Sequence, residues 1–410
     1  MRRLLYVVLL CCLPVSITFT ASAGDSNEWE GDIPEATVVL ESYPSRQATL
    51  TPDYLEVPFA CIGDTFTEDK LLHLPAGVIP ELGDILICFD LTGSMGGELN
   101  NVRNNAINIM NAVRAIIPDT RFGVISHMDY DDLHEGCDYS AIYGLAFIGD
   151  YPYNLDQPLT DDISAVESAI NGLVLGDGMD IPEDYSRVLF ETYNDAGIGW
   201  RPEAKKIVLL WGDAEPHDCA YDACIGGNAT TGPDPGPDGV DNNADDLEIL
   251  TVLGGMASAN ISLLPVYSYP TGINLWECYA ALTGGQAWQI NEDGTIPGGI
   301  DIADYIASII GEEVLQIDNM ALEVCTPGYE SWMVSVNPTA YTDIVLDEPT
   351  DLPFTIVLTV PPGAAVGQHC FHICAIGDGA EYARQEVCIT VSDATPVDQS
   401  TWGRIKNQYR

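Results

Sequence analysis

Three short segments of this chain carry oxygen side chains at spacings that suit chemistry on a hard cation. Asp90-Leu91-Thr92-Gly93-Ser94 places a carboxylate and two hydroxyls at alternating positions of one tight turn. Gly178-Met179-Asp180-Ile181-Pro182-Glu183 offers Asp180 just ahead of a helix-like run, and Asp213 follows the apolar run 204–211. Hydroxyl and carboxylate oxygens favour Mg²⁺, Mn²⁺ or Ca²⁺ over softer ions. No set of residues of comparable order points to catalysis. H-E-x-x-H is absent, and Thr92 stands where a nucleophile elbow around Ser94 needs its first Gly. Glycine patterns of the dinucleotide-binding and P-loop type are missing after the first strand. The expectation is a binding protein rather than an enzyme.

These segments need a frame that brings them to one edge, and the hydropathy pattern supplies it. Residues 84–90 (DILICFD) read as a buried parallel strand, and apolar residues from Leu99 to Ile117 recur at helical spacing. Further strands are expected at 121–127, 204–211, 261–267 and 286–290. Helices are expected at 161–171, 182–195, 245–259, 275–283 and 300–311, and insertions at 129–160 and 214–243. Such alternation predicts an α/β fold with a doubly wound, mostly parallel Rossmann-like sheet. Ligands of that architecture bind outside the carboxyl ends of the strands, which is where Asp90, Asp180 and Asp213 fall. Beyond 313 the texture changes to short alternating runs (321–324, 332–336, 354–360, 367–375 and 386–391), the pattern of a smaller all-β sandwich.

At Asp90-x-Thr92-x-Ser94, the loop at Asp180 and Asp213, in that order on an α/β pattern, the chain resembles the von Willebrand factor A domain family over about residues 82–312. It looks most like the hemicentin-type subgroup, whose D-T-T-G-S-M and G-G-G-D-x-P-E segments parallel Asp90-Leu91-Thr92-Gly93-Ser94-Met95 and Gly178-Met179-Asp180-Ile181-Pro182-Glu183. The resemblance implies a metal-ion-dependent adhesion site made of Asp90, Thr92, Ser94, Asp180 and Asp213. Thr92 and Ser94 would bind the cation directly, and Asp90 and Asp213 through waters. A coordination position would stay open for a carboxylate of a protein or glycan partner. Asp180 stands where many members have Thr. A third carboxylate there should raise cation affinity and lower attraction for an acidic partner. The runs Pro361-Pro362-Gly363, Gly367 and Phe371-x-Ile373-x-Ala375 resemble the Ig-like modules of bacterial secreted proteins.

A second acidic run, 234–246, is similar in composition to an EF-hand loop or a thrombospondin type 3 calcium repeat. Gly236 breaks the first pattern, and the spacing is one residue short for the second. It reads either as a calcium loop with Asp234, Asp238, Asp241 and Asp245 as ligands, or as a solvated acidic loop leading into a helix capped by Asn243 or Asp245.

The chain opens with Arg2-Arg3, an apolar stretch broken by Pro14, and Ala21-Ser22-Ala23, the pattern of a cleaved signal peptide over 1–23. Secretion, or display at the cell surface, follows. Ten cysteines remain beyond it, an even count that favours disulfides in an oxidising compartment. A local Cys219–Cys224 bridge is expected. So is a cross-strand bridge from Cys388 to Cys370 or Cys374, with Cys325 taking the other; a zinc site in that cluster is the alternative reading. Residues 24–81 read as an arm with short strands, 82–312 as the α/β domain, 313–392 as the sandwich and 393–410 as a basic, aromatic tail. Strand-like residues at 56–80 raise a further expectation, that the α/β domain is inserted into a β module built from both flanks.

Composition excludes other classes. With 62 acidic and 15 basic residues in 410, the formal net charge is −47. A nucleic-acid or membrane-surface binder working by phosphate neutralisation needs clustered Lys and Arg, and no later run is long and apolar enough to span a bilayer. A hydrophobic share of 46% supplies the mass for a packed core, which excludes wholesale disorder.

Overall fold

Why the DILICFD segment is buried on both faces is clear from the computed structural model, which describes residues 47–137, 143, 149–178 and 180–392. The segments 1–23, 24–46 and 393–410, with the signal-peptide and tail expectations they carry, lie outside the described residues. Three strands come first: β1 (Thr49–Thr51), β2 (Tyr54–Ala60) and β3 (Thr65–Leu74). The α/β segment follows: β4 (Leu82–Asp90), α1 (Gly96–Ile116), β5 (Asp119–His127), β6 (Asn154–Thr160), α2 (Ile163–Gly172), α3 (Tyr185–Asn194), β7 (Lys205–Gly212), α4 (Ile249–Ser258), β8 (Ile261–Tyr267), α5 (Ile273–Ala281), β9 (Trp288–Gln289) and α6 (Ile302–Val314). The chain then closes with β10 (Gln316–Val324), β11 (Met333–Asn337), β12 (Tyr341–Val345), β13 (Thr350–Thr359), β14 (Gly367–Gly377) and β15 (Ala380–Val391).

The central sheet has the order β6-β5-β4-β7-β8-β9. All of its pairings are parallel except β5–β6. Successive side chains of a strand point to opposite faces. Thus Ile85, Ile87 and Phe89 enter one core with α1, α2 and α6, while Leu86 and Cys88 enter another with α3, α4 and α5. Each fully buried aliphatic or aromatic side chain contributes roughly 1.5–3 kcal/mol, so the two cores fix β4 in the middle of the sheet. The helices carry local signals. Asp162 caps α2 by accepting from the Ser164 and Ala165 amides, Asp301 caps α6 through the Ala303 amide, and Pro118 ends α1.

Several elements differ from expectation. The 129–160 insertion contains β6, a half-exposed antiparallel edge strand. The last central strand is only Trp288–Gln289. The helix expected over 245–259 begins at Ile249, because Leu247 is held in an isolated antiparallel bridge to Asp234. Neither Asn243 nor Asp245 caps it; the Ile249 amide donates to Asp218 Oδ2 at 2.6 Å.

Two further sheets share one hydrophobic core, with orders β1-β3-β13-β11 and β12-β10-β14-β15-β2. β3 pairs antiparallel with β13 over ten positions, from Thr65↔Thr359 to Leu74↔Thr350. β2 pairs parallel with β15. Strands from before and after the α/β segment therefore build the same two sheets, and a boundary at 313 does not enclose them. The junction carries an ion pair, Lys205 Nζ to Glu313 Oε1 at 2.8 Å, with Asp378 Oδ2 at 3.5 Å.

Candidate metal centre

β4 delivers Asp90 to the carboxyl edge of the sheet, fully buried. Asp90 Oδ1 accepts from the Thr92 amide at 2.9 Å and from Thr92 Oγ1 at 2.7 Å. Oδ2 accepts from the Tyr185 hydroxyl at 2.5 Å. Thr92 Oγ1 lies 3.5 Å from Ser94 Oγ, and Ser94 is near enough to the Asp213 carboxylate that follows β7 to stabilise its charge. Asp90, Thr92, Ser94 and Asp213 are thus linked around one point, with Ser94 exposed to solvent. The loop before α3 closes over this turn. Gly178 sits at φ +72°, and a Cβ there would come within 2.6 Å of Thr92 Cγ2 and 2.9 Å of Glu183 Oε1, so only glycine fits.

Charge defines the site as much as geometry does. Burial raises the Asp90 carboxyl above its ordinary range, although Tyr185 and Thr92 pull it back. Burial, then the Asp90 charge, raises Asp213 to about 6. Glu183 is pushed well up by burial, then by Asp90, Asp129, Asp184 and Asp213. Its Oε2 atom, buried, has no hydrogen-bond donor. A buried carboxylate without a donor is costly. Like charges around Asp90 with no basic side chain hydrogen-bonded among them are what a divalent cation would neutralise, and hydroxyl and carboxylate donors fit a hard ion.

Asp180 joins a further set of donors. Its carboxylate groups with Asp129, at the end of β5, and His217, beyond β7, with one ligand atom from each within 4.8 Å of the other two. Sequence reasoning missed Asp129, Glu183, Tyr185 and His217. Glu183 lay inside the quoted G-x-D-x-P-E segment, and the strand-end rule that selected Asp90 and Asp213 also covers Asp129.

The four carboxylates of the 234–246 loop do not converge. Asp234 is buried and accepts from the Tyr130 hydroxyl at 3.2 Å and the Gly236 amide at 3.0 Å. Both oxygens of Asp238 are held by the Asn243 side-chain amide, at 3.1 and 3.0 Å. Asp241 accepts from the Glu135 amide at 3.3 Å and meets His134 Nδ1 at 3.0 Å. Asp245 accepts from the Asp238 amide at 3.3 Å. Asp238 and Asp245 serve turns within the loop, whereas Asp234 and Asp241 tie it to residues 130–135.

Disulfides staple the rim. Cys219 and Cys224 do not bridge each other: Cys219 joins Cys137 and Cys224 joins Cys278 of α5. The excursion carries the two cysteines apart, to the 129–137 loop and to α5. In the β layers Cys325 joins Cys374 and Cys370 joins Cys388, which removes these thiolates from any zinc site.

No protein-family model and no curated protein matches this chain. Among solved structures it is similar to the SpRpn10 VWA domain, with a TM-score of 0.33 and 11% identity, over 55% of this chain and 94% of that one.

Proposed function

We propose that this chain is an exported adhesion or ligand-binding protein, and that a divalent cation (Mg²⁺, Mn²⁺ or Ca²⁺) held by Asp90, Thr92, Ser94 and Asp213 engages a protein or glycan partner. The observation that carries the reading is the linkage of these four residues at the carboxyl edge of the sheet, with Ser94 on the surface. When bound, the cation would supply an electrophilic centre for an anionic group of the partner. Thr92 and Ser94 would offer neutral oxygens to it. Asp90 orients Thr92 through two hydrogen bonds, and Tyr185 orients Asp90. The four disulfides support an oxidising destination.

A structural role for the cation is a second reading, favoured by the buried carboxylate oxygens without donors on Asp129 and Glu183. Calorimetric titration of Mg²⁺, Mn²⁺ and Ca²⁺ into the chelator-treated full chain, beside Asp90→Ala, tests the first reading. Cation binding that disappears in the variant supports it; binding unchanged by the substitution sinks it. The second reading is separated by melting. An adhesion site leaves the chelated protein folded and abolishes partner capture, whereas a structural site lowers the melting temperature as well.

A further inference from the structure

Beside the Asp90 centre lies a donor set of different chemistry. Asp129 and His217 come from the ends of different strands and are both buried, at 1% and 0% exposure. Among the described residues no N–H or hydroxyl donates to either oxygen of Asp129, whose carboxyl neighbour is Glu183, and His217 Nε2 has only acceptors beside it, Asp129 and the Pro182 carbonyl. His217 Nε2 lies 3.6 Å from Asp129 Oδ1. Its tautomer follows from the other nitrogen: Nδ1 is 2.7 Å from the Thr231 carbonyl oxygen, which can only accept. Nδ1 therefore donates there, and in the neutral ring Nε2, beside Asp129 Oδ1, is the nitrogen available to an ion. A ring fixed in this way by a carbonyl behind it is the usual arrangement of a metal-ligating histidine. Tyr143 stacks on the ring at 3.6 Å and 16°, which holds its plane. Asp180 completes the group, and the Pro182 carbonyl faces the ring.

We propose that Asp129, Asp180 and His217 form a second cation site, selective for a divalent transition-metal ion. Imidazole nitrogen favours Zn²⁺ or Cu²⁺ over Mg²⁺ and Ca²⁺, whereas the hydroxyl and carboxylate donors at Asp90 favour the harder ions. Glu183 feels the charges of Asp90 and Asp213 as well as that of Asp129.

The test is titration of Zn²⁺ alone into the chelator-treated full chain in excess Mg²⁺, for wild type, His217→Gln and Asp90→Ala. Wild type should bind zinc, Asp90→Ala should keep that binding, and His217→Gln should weaken it at least about tenfold. Unchanged zinc affinity in His217→Gln, no zinc binding in wild type, or loss of zinc in Asp90→Ala would overturn the assignment. Failure of the Asp90 site alone shows as absent Mg²⁺ binding with zinc intact. Should His217→Gln not fold, pulsed EPR of the wild type loaded with Cu²⁺ in excess Mg²⁺ decides. Imidazole nitrogen coupling is expected, and its absence refutes the site.

Discussion

The Tyr185 hydroxyl donates to Asp90 Oδ2 at 2.5 Å and accepts from the Asp213 amide at 3.3 Å. One phenol in the first turn of α3 therefore ties together the two strand ends on which the cation site rests. Tyr185→Phe keeps the ring in its core and removes only this link. Cation affinity at the Asp90 site should fall by about 10–100-fold, the usual cost of losing a group that orients a ligand. Stability should fall by about 1–3 kcal/mol, because Asp90 Oδ2 is left buried without its donor. Calorimetric titration and urea unfolding of the same preparation check both, and an unchanged affinity would show that Tyr185 is only a core residue.

The covalent frame around the site should be visible by peptide mapping without reduction. Digestion is expected to release cross-linked fragments joining Cys137 to Cys219 and Cys224 to Cys278, and none joining Cys219 to Cys224. Replacing Cys137 and Cys219 together by Ala should cost about 2–5 kcal/mol, since their bridge closes a loop of 82 residues.

Lys205 anchors β7 against the β layers. Burial pushes its ammonium down, but Glu313 and Asp378 more than offset this and hold it charged above its ordinary value. Lys205→Met removes the cation and leaves two carboxylates facing each other at the junction. A loss of about 3–5 kcal/mol is expected in urea unfolding. Adding Glu313→Gln should recover part of it, because the two changes are coupled. Purely additive losses would show that the pair does not act as one.

What the sequence makes legible follows from burial. Strands β4, β7 and β8 lie between two helical layers, so their apolar runs are unbroken and announce themselves. The Asp90-x-Thr92-x-Ser94 turn is local, and its spacing alone brings the oxygens together. Residues joined through the fold are another matter. Asp129 is covered by the strand-end rule, but His217 lies within a long insertion, and nothing nearby in the chain marks the two as partners. β6 reads Asn-Leu-Asp-Gln-Pro-Leu-Thr, with no clean alternation, because it pairs on one side and faces solvent with much of its length. Cys219 and Cys224 are close in sequence yet pair with different elements, Cys219 with Cys137 and Cys224 with Cys278 of α5. The pairing of β3 with β13 spans nearly the whole described chain, and only the position of the strand-like runs on either flank hinted at it.

His127 gives a pH dependence of definite sign. Its ring is fully buried at the end of β5, edge-on to Tyr185 at 4.7 Å, with only the Met128 backbone acting against the effect of burial. Burial lowers its pKa from 6.5 to about 3. The unfolded chain therefore binds a proton at this side chain between those values while the folded chain does not. Stability from a neutral His127 is complete above about pH 6.5 and is lost as the pH falls toward 3. His127→Phe retains the aromatic contact and cannot take up the proton. Relative to wild type, the variant should gain on the order of 2–3 kcal/mol on going from pH 7 to about pH 4.5, two units below the unfolded pKa. Carboxylates with raised pKa values, such as Asp213, act in the opposite direction, but they are common to both proteins and cancel in the difference. Urea unfolding of the pair at the two pH values measures this, and a difference that stays constant with pH would mean that His127 titrates normally in the folded protein.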